Sequence, residues 1–225
     1  MKVKLHNGKT TETKDVSVSK AIVAGWTGRD RVALEKHIKE LEELGVARPA
    51  STPIYYRVSA SRITPDPLIE TTGDASNGEV EFVLAQWGGQ MWVGVGSDHT
   101  DRQVETYNVT VSKQMCEKPV AAEFWRYSDV APHWDKLVMR SWIEENGERV
   151  LYQEGSVIAM LDPMTLVSGY EGKPALDEGA LMFCGTFAAK GGIRPADNFD
   201  FEIHDPVLGR TISHGYRLAK LPVLG

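Results

Sequence analysis

The sequence predicts an α+β protein that is rich in β-strands and has one main helix near its N-terminus. Two observations carry this prediction. Short runs in which apolar and polar residues alternate recur along most of the 225-residue chain, separated by turn residues. Only residues 27–45 form a long stretch with apolar side chains at helical spacing. The length suffices for a hydrophobic core, and we expect residues 1–225 to form a single domain.

The chain is expected to begin with strands and then enter the helix. Residues 1–25 alternate loosely, which predicts a short hairpin followed by an apolar strand at Ala21–Ala24. Thr27, with Asp30 three residues later, is typical of a helix N-cap, and Gly45 is typical of a helix end. The apolar positions between them share helical spacing and are Leu34, Ile38, Leu41 and Leu44.

The middle of the chain is expected to be mainly extended. Residues 46–77 predict a connecting segment with one strand at Ile54–Ala60. The β-branched alternation of residues 104–115 predicts another strand, which brings Lys113 to its end. Residues 117–135, with two prolines and several aromatic side chains, predict a packed irregular segment.

The C-terminal part predicts two hairpins with a helix between them. Asn146-Gly147 is a strong turn signal for the first hairpin, and residues 199–216 alternate as the second. Between them, residues 157–170 predict a short helix, followed by a strand that runs towards Thr186. The glycine-rich segment 188–195 lacks the spacing of a phosphate-binding loop, so nucleotide binding is not supported.

Composition excludes several classes of partner. The net charge is −6 and the basic residues are scattered singly, which argues against nucleic acid. The first residues lack an apolar leader and no run approaches the roughly 20 apolar residues that span a bilayer, so we expect a soluble cytoplasmic protein without a membrane partner. Cys116 and Cys184 lie far apart, which favours two buried reduced thiols.

Three acidic residues converge if the hairpin within residues 78–102 has the expected register. Gly88-Gly89 is typical of a two-residue hairpin turn, and centring the turn there places Asp98 opposite Glu79. Glu79 and Glu81 share a face because strand side chains alternate, and opposite residues of an antiparallel pair also share a face. The three carboxylates therefore meet, and carboxylates this close repel unless a proton or a cation lies between them.

A hard divalent cation such as Mg²⁺ or Mn²⁺ suits three carboxylates, because such ions take oxygen ligands. A solvated sheet face that carries acids by chance accounts for the pattern as well. A one-residue bulge would also move Asp98 away from the other two acids. His99 follows Asp98 directly and is left out of the site, because neighbouring strand residues face apart.

Five motifs follow one another along the chain: AGWTGRD with His37-x-x-Glu40, Glu79-x-Glu81, DHTDR, Ser112-Lys113 and FCGTFAAKGG, in that order. This succession resembles the fumarylacetoacetate hydrolase (FAH) superfamily, and more narrowly its uncharacterised bacterial members. The resemblance runs from about residue 21 to the C-terminus. It implies an FAH-like mixed β-roll with one main N-terminal helix, in which residues 1–50 form a small helical portion that contributes a catalytic dyad.

The resemblance also implies a role for each site residue. It assigns metal ligation to Glu79, Glu81 and Asp98, catalysis to His37, Glu40 and Lys113, and substrate binding to Arg102 and Thr186. From spacing alone, the His37 and Glu40 pair is equally consistent with the solvated face of an amphipathic helix. The implied cofactor is Mg²⁺ or Mn²⁺, the implied partner a small carboxylate substrate, and the implied assembly a homodimer.

The activity implied by the resemblance is metal-dependent hydrolysis of a C–C bond in a 2-oxo acid or 1,3-dicarbonyl (acylpyruvate-like) substrate. Without attack by water, the same site would act as a lyase, by decarboxylation or dehydration, or as an isomerase. A metal-stabilised binding protein without turnover is a further alternative. The chain departs from the family pattern at Gln103, Glu105 and Phe187, and its Gly88-Gly89 turn replaces a helical insertion, so substrate contacts are expected to differ.

Overall fold

A computed structural model describes residues 1–43 and 48–224. Its strands are β1 (Lys2–Asn7), β2 (Thr10–Asp15), β3 (Lys20–Gly25), β4 (Ile54–Val58), β5 (Ile63–Thr64), β6 (Leu68–Thr72), β7 (Ser76–Asn77), β8 (Val80–Trp87), β9 (Gln90–Ser97), β10 (Thr100–Asp101), β11 (Lys118–Pro119), β12 (Glu123–Arg126), β13 (Val138–Glu145), β14 (Glu148–Ser156), β15 (Ala180–Phe183), β16 (Asn198–Asp205) and β17 (Arg210–Leu221). Its α-helices are α1 (Arg31–Glu43), α2 (Arg102–Glu105), α3 (Val109–Met115), α4 (Tyr127–Val130) and α5 (Pro163–Gly169), and its 3₁₀ helices are Ala60–Arg62, Ala131–Lys136 and Val157–Ala159.

Two large sheets dominate the described residues, which confirms the predicted strand-rich α+β class. The larger sheet has eight strands in the order β2-β1-β12-β9-β8-β15-β3-β4 and is mixed, because β1 with β12 and β15 with β3 run parallel. The second has five strands in the order β14-β13-β16-β17-β6. The hairpin of β8 and β9 lies in the middle of the larger sheet, so both of its strands are flanked.

The core explains why this hairpin is buried on both faces. The main apolar cluster lies between the two sheets and includes Val80 and Phe82 of β8 with Phe199 of β16. A second cluster covers the other face of β8, where Val83 packs with Phe183. Alternating side chains of one strand therefore enter two different cores, as expected for a central strand.

The N-terminal region confirms the predicted hairpin and strand but changes the start of the helix. Helix α1 begins at Arg31 because Asp30 Oδ1 accepts the N–H groups of Val32 and Ala33, at 2.9 and 3.0 Å. Thr27, the predicted cap, is buried instead, and its carbonyl accepts the N–H of Leu161 at 2.8 Å. The predicted helix end at Gly45 lies outside the described residues.

The predicted strand at residues 104–115 is wrong, because this segment forms helices α2 and α3. Asp101 accepts the N–H of Val104 at 2.9 Å, and Asn108 accepts that of Val111 at 3.0 Å. These side chains satisfy the free N–H groups of two short helices and outweigh the β-preference of the valines.

The segment at residues 117–135 also holds more order than predicted, because it contains β12. This strand pairs with β1 and β9, and its Phe124 and Trp125 are buried. Elsewhere the predicted hairpin at Asn146-Gly147, the helix α5, the strand β15 and the last hairpin are confirmed. Residues 1–50, which were expected to include a small helical portion, contain β1 to β3 and α1. A single domain over residues 1–225 stays a prediction. No helix among the described residues has the length and apolar character needed to cross a bilayer.

Candidate metal centre

The register of the central hairpin is the one that the turn predicts. Gly88 and Gly89 both have positive φ, at 62° and 69°, as a two-residue hairpin turn requires. The ladder pairs Trp87 with Gln90 at the turn and continues without a bulge to its other end. One residue beyond the ladder, the N–H of Asp98 donates to the carbonyl of Glu79 at 3.0 Å. The backbone thus holds Glu79 and Asp98 side by side.

The structure brings the three predicted acids together. Glu79, Glu81 and Asp98 each offer a carboxylate oxygen, and these three atoms all lie within 4.8 Å of one another. Glu81 and Asp98 are buried, whereas 19% of the Glu79 side chain is exposed. The cluster is therefore closed at its base and open to solvent at Glu79.

Two lysines hold the base of the cluster at Asp98. The Lys113 ammonium donates a hydrogen bond to Asp98 Oδ2 and lies 4.0 Å from Glu79 Oε2. Lys118, fully buried, places Nζ 3.3 Å from Asp98 Oδ1 in an ion pair whose angle makes no hydrogen bond. Its Nζ donates instead to the carbonyls of His99 and Cys116, at 2.6 and 3.2 Å.

The pKa values of these groups follow from burial and from the neighbouring charges. Burial alone would raise the pKa of Asp98, but the positive charges of Lys113 and Lys118 outweigh it and lower that pKa below its usual value. Burial would lower the pKa of Lys113, yet the surrounding carboxylates raise it, so Lys113 stays protonated. For Lys118, burial prevails and lowers the pKa although Asp98 opposes it.

Glu81 is the acid with the least compensation. Burial, followed by the charge of Asp98, raises the pKa of Glu81 well above its usual value. The N–H of Gly185 donates to Glu81 Oε2 at 2.8 Å and opposes the shift only in part. Gly185 has a φ of 106°, and a side chain there would collide with Thr27 Oγ1, so this close approach requires glycine. Glu81 needs a proton or a cation to be stable here.

Arg102 contacts three polar side chains of the protein. Its Nε donates to Asn77 Oδ1 at 2.5 Å, and its Nη1 donates to Glu105 Oε2 at 2.8 Å. Its Nη2 lies 3.0 Å from Glu79 Oε1 in an ion pair that makes no hydrogen bond. Arg102 thus lies against Glu79, and its role in substrate binding stays a prediction.

Thr186 is also engaged within the protein. Its hydroxyl donates to the carbonyl of Val80 at 2.7 Å and accepts from Gln153 Nε2 at 2.9 Å. Val80 lies between two of the acids in sequence. Thr186 therefore stabilises the segment that carries Glu79 and Glu81, because its hydroxyl hydrogen is directed at the backbone of that segment.

His99 faces away from the acids, as the alternation predicts. Its Nδ1 lies 2.8 Å from the Tyr216 hydroxyl, which in turn lies 2.8 Å from Ser97 Oγ. Burial lowers the pKa of His99 to about 3, so the ring is neutral. It supports the far face of the strand and offers no ligand atom to the three acids.

The donor set fits a divalent cation. All three donors are carboxylate oxygens, which suit Mg²⁺ or Mn²⁺. Asp98 Oδ1 is fully buried and accepts no hydrogen bond from the described residues, although the Lys118 ammonium lies 3.3 Å from it. Glu79, Glu81 and Asp98 are thus the residues that would hold the ion.

The space beside the cluster at Gly96 is filled by a neighbouring side chain. A Cβ atom at Gly96 would lie 2.7 Å from the Phe183 ring, which fills that space. Two clefts, of about 600 and 540 Å³, lie elsewhere on the described surface, beside Gly88 and beside Trp134, and none of the three acids lines them. A ligand would reach the acids past the exposed part of Glu79.

Two predicted catalytic residues are only partly placed. His37 and Glu40 belong to helix α1, but their side chains lie outside the part of the chain that the structure describes, so their roles stay predictions. The site also contains three residues that were not predicted from the sequence, namely Lys118, Asn77 and Gln153. Each is a single polar residue with no motif around it, and only the fold brings it to the acids.

Comparisons with known proteins agree with the fold. A family model described as "Protein of unknown function (DUF2848)" matches residues 24–216. No curated protein sequence matches the chain. A crystal structure of Cg1458 is similar with a TM-score of 0.65 at 15% identity, over 95% of this chain and 81% of that chain.

Two further solved structures that are similar to this chain are those of named enzymes. The dehydratase of 2-keto-3-deoxy-D-arabinonate, complexed with magnesium and 2,5-dioxopentanoate, has a TM-score of 0.62 at 14% identity, over 95% of this chain and 78% of that chain. The 4-oxalocrotonate decarboxylase from Pseudomonas putida G7, complexed with calcium and acetate, has a TM-score of 0.53 at 17% identity, over 88% of this chain and 77% of that chain. At these identities the likeness shows the fold alone, and it confirms the FAH-like architecture.

Proposed function

The chain belongs to the family "Protein of unknown function (DUF2848)", and we propose that this member is a divalent-metal-dependent enzyme acting on a small 2-oxo acid or 1,3-dicarbonyl substrate. One observation carries the proposal: three carboxylate oxygens from Glu79, Glu81 and Asp98 lie within 4.8 Å of one another, beside the protonated Lys113. Glu81 is buried and its pKa is raised, so its negative charge is costly without a proton or a cation, and the cluster is suited to an ion.

The named neighbours support this class of chemistry. One is a dehydratase complexed with magnesium and 2,5-dioxopentanoate, and another is a decarboxylase complexed with calcium and acetate. Both proteins share the fold with this chain and bind a divalent cation together with a small carboxylate. The motif resemblance to the FAH superfamily supports the same assignment, with Mg²⁺ or Mn²⁺ as the ion and a homodimer as the assembly.

Each residue has a separate role in the proposed reaction. A bound divalent cation would supply Lewis-acid chemistry, by withdrawing electron density from the oxygens of the substrate. Lys113, held protonated by the carboxylates, would attract a negatively charged substrate oxygen. Arg102 keeps the Glu79 carboxylate in place through its ion pair of 3.0 Å. The N–H of Gly185 does the same for Glu81, at 2.8 Å.

His37 and Glu40 are proposed to handle the proton. A histidine suits this role because its pKa lies near neutral pH, and a glutamate three residues away on the same helix can orient the ring. In hydrolysis His37 would take a proton from water, whereas in dehydration or decarboxylation it would deliver or remove a proton at carbon.

A lyase is the reaction type that the neighbours favour, since two of them are named as a dehydratase and a decarboxylase. Hydrolysis of a C–C bond is the second candidate, because the sequence provides the His37-x-x-Glu40 pair that water activation needs. A non-catalytic metal-stabilised protein is the outcome if turnover is absent.

The test is turnover of three substrates by the protein stripped with EDTA and then supplied with Mg²⁺ or Mn²⁺. Oxaloacetate reports decarboxylation, an acylpyruvate reports hydrolysis, and 2-keto-3-deoxyarabinonate reports dehydration. We expect activity on at least one substrate, dependence on the ion, and loss of activity in Glu81→Gln and His37→Ala. The matched control is Glu12→Gln, which changes an exposed acid on β2.

Each result separates the candidates. Activity that survives Glu81→Gln would overturn the metal assignment. Activity that survives His37→Ala would remove the proposed proton-handling role and leave the metal assignment standing. Tight Mg²⁺ binding without turnover of any 2-oxo acid would favour the binding protein. Sedimentation velocity of the same samples tests the homodimer.

A further inference from the structure

Gln153 connects the second sheet to the metal centre. It lies on β14, outside the sheet that carries the acids, and its side chain is 1% exposed. Its Oε1 accepts hydrogen bonds from the N–H of Val80 and the hydroxyl of Ser141, both at 3.0 Å. Its Nε2 donates to Thr186 Oγ1 at 2.9 Å and to the carbonyl of Phe187 at 2.7 Å. The amide thus uses two acceptor and two donor positions.

The orientation of this amide follows from its partners. Exchanging its oxygen and nitrogen would point an NH₂ group at the N–H of Val80 and an oxygen at the carbonyl of Phe187. Donor would then face donor and acceptor would face acceptor. Only the observed orientation satisfies all four positions, and only a primary amide of this length offers two donors and two acceptors here.

The bonds of Gln153 replace a missing stretch of β-ladder. Within the described residues, strand β15 pairs with β8 only along Val83–Ala85, and none of their strands borders the outer edge of β8 at Val80. There the N–H of Val80 donates to Gln153, and the carbonyl of Val80 accepts from Thr186 at 2.7 Å. Both backbone polar groups of Val80 are therefore fixed by side chains from two different segments of the chain.

We propose that Gln153 is a positioning residue for the metal ligands, because it fixes the position of Val80 relative to the loop that carries Gly185 and Thr186. Glu79 and Glu81 leave the chain on either side of Val80 and point to one face, so a shift of Val80 moves both carboxylates. The same shift changes the distance between Glu81 and the N–H of Gly185. This inference rests on the proposed metal-dependent function.

The expected loss of metal affinity is that of a side chain that holds the ligands in place without binding the ion. Removing a residue that orients metal ligands costs about 10–100-fold in metal affinity or activity. A purely structural role would lower the melting temperature without changing the affinity of the folded protein for the ion. Metal affinity in the absence of substrate therefore distinguishes the two roles.

The experiment measures the Mg²⁺ dissociation constant by titration calorimetry, without substrate, at a temperature where every variant is folded. Gln153→Met keeps the approximate length and removes all four hydrogen bonds, and we expect Mg²⁺ affinity to fall by about 10–100-fold. Gln90→Met is the matched control, since Gln90 lies at the far end of the same hairpin and its side chain hydrogen-bonds only to Arg126 among the described residues. We expect no change there.

Thr186 provides a second route to the same contact, should Gln153→Met not fold. Thr186→Val removes the bond to Val80 and the acceptor for Gln153, so we expect a weaker Mg²⁺ affinity, which Thr186→Ser restores. If the contacts act as one unit, the double variant Gln153→Met with Thr186→Val loses no more affinity than the more affected single variant.

Failure of this proposal differs from failure of the proposed function. If the wild-type protein binds no Mg²⁺ or Mn²⁺ and turns over no 2-oxo acid, the proposed function fails. If the wild-type protein binds the ion and Gln153→Met and Thr186→Val bind it within twofold of Gln90→Met, the positioning role alone is overturned.

Discussion

Asp98 and Asp205 are both fully buried, yet their surroundings differ in kind. Asp205 Oδ1 accepts the backbone N–H groups of Val207 and Leu208, each at 3.1 Å, and His133 Nε2 lies 3.0 Å away. Its Oδ2 accepts from Arg210 Nε at 3.2 Å. Both carboxylate oxygens of Asp205 therefore have partners, which come from the backbone of one turn and from two side chains. Asp205 thus stabilises the last hairpin.

Asp98 instead lies among groups that mostly carry full charges. Two ammonium groups and two further carboxylates surround it, and its Oδ1 accepts no hydrogen bond. In both aspartates burial would raise the pKa, and the partners outweigh it and lower the pKa. The two aspartates differ in the number of acids that share the available hydrogen bonds. Asp205 has the partners that one carboxylate needs, whereas the Asp98 cluster holds more acids than its local hydrogen bonds satisfy. An excess of this kind indicates a ligand site.

The largest expected difference between the two is in metal affinity. Asp98→Asn removes one of three charged oxygen ligands, so we expect Mg²⁺ affinity to fall by more than about 100-fold, beyond the effect of an outer-shell change. Asp205→Asn should leave it within about threefold of wild type. The increase in melting temperature that Mg²⁺ causes is measured for both variants. If Asp205→Asn also lost this increase in melting temperature, the two aspartates would not differ in their effect on metal binding.

The second expected difference is in stability and its pH dependence. Asp205→Asn places an amide NH₂ near Arg210 and weakens the bond to His133, so the free energy of unfolding should fall by about 2 kcal/mol at neutral pH. Because the folded pKa of Asp205 lies below the usual 3.8, its contribution is present above that value and is lost as pH falls through the folded pKa.

Urea unfolding in EDTA at several pH values between about 6 and 3 checks this prediction. The difference between wild type and Asp205→Asn should shrink as the pH decreases. A difference that is constant with pH would show that the charge of Asp205 does not matter, and that the variant is destabilised only by altered packing.

Whether each of these two environments can be predicted from the sequence depends on how far apart along the chain its residues lie. The turn of Asp205 is local, and the register that places Asp98 beside Glu79 follows from Gly88-Gly89. Both therefore arise from short-range chemistry and were predictable. Lys118 and Gln153 reach the site only through the pairing of distant strands, which alternation alone does not specify. The strand predicted at residues 104–115 failed for another reason: the capping side chains Asp101 and Asn108 outweigh the β-preference of the valines.

At Glu81 we expect a smaller effect on the free energy of unfolding, and of the opposite sign. Burial and the Asp98 charge raise the pKa of Glu81 above its usual 4.5, so the folded protein without metal holds this proton more tightly than the unfolded chain does. Stability should therefore fall as pH rises from about 4.5 to the raised pKa. Glu81→Gln keeps an acceptor for Gly185 and removes this cost.

We expect Glu81→Gln to stabilise the metal-free protein by about 1 kcal/mol at pH 8 and to abolish its response to Mg²⁺. Urea unfolding at pH 5 and pH 8, with EDTA and with Mg²⁺, measures both effects. Destabilisation of the metal-free protein by Glu81→Gln at pH 8 would mean that Glu81, like Asp205, is a structural acid.

The smallest predicted effect concerns the arginines that serve the two regions. Arg210 binds Asp205 as part of the last hairpin, whereas Arg102 is shared between Glu79 and Glu105, which is 27% exposed on the side chain. We propose that Glu105 offsets part of the Arg102 charge, which would otherwise attract a second carboxylate of the substrate. Glu105→Gln frees part of that charge, so we expect oxaloacetate to bind about threefold to tenfold more tightly in the presence of Mg²⁺, while pyruvate, with one carboxylate, is unchanged. Calorimetric titration of both ligands measures this. Equal changes for the two would mean that Glu105 acts on the bound ion through general electrostatics, and that Arg102 serves only to hold Glu79, as Arg210 holds Asp205.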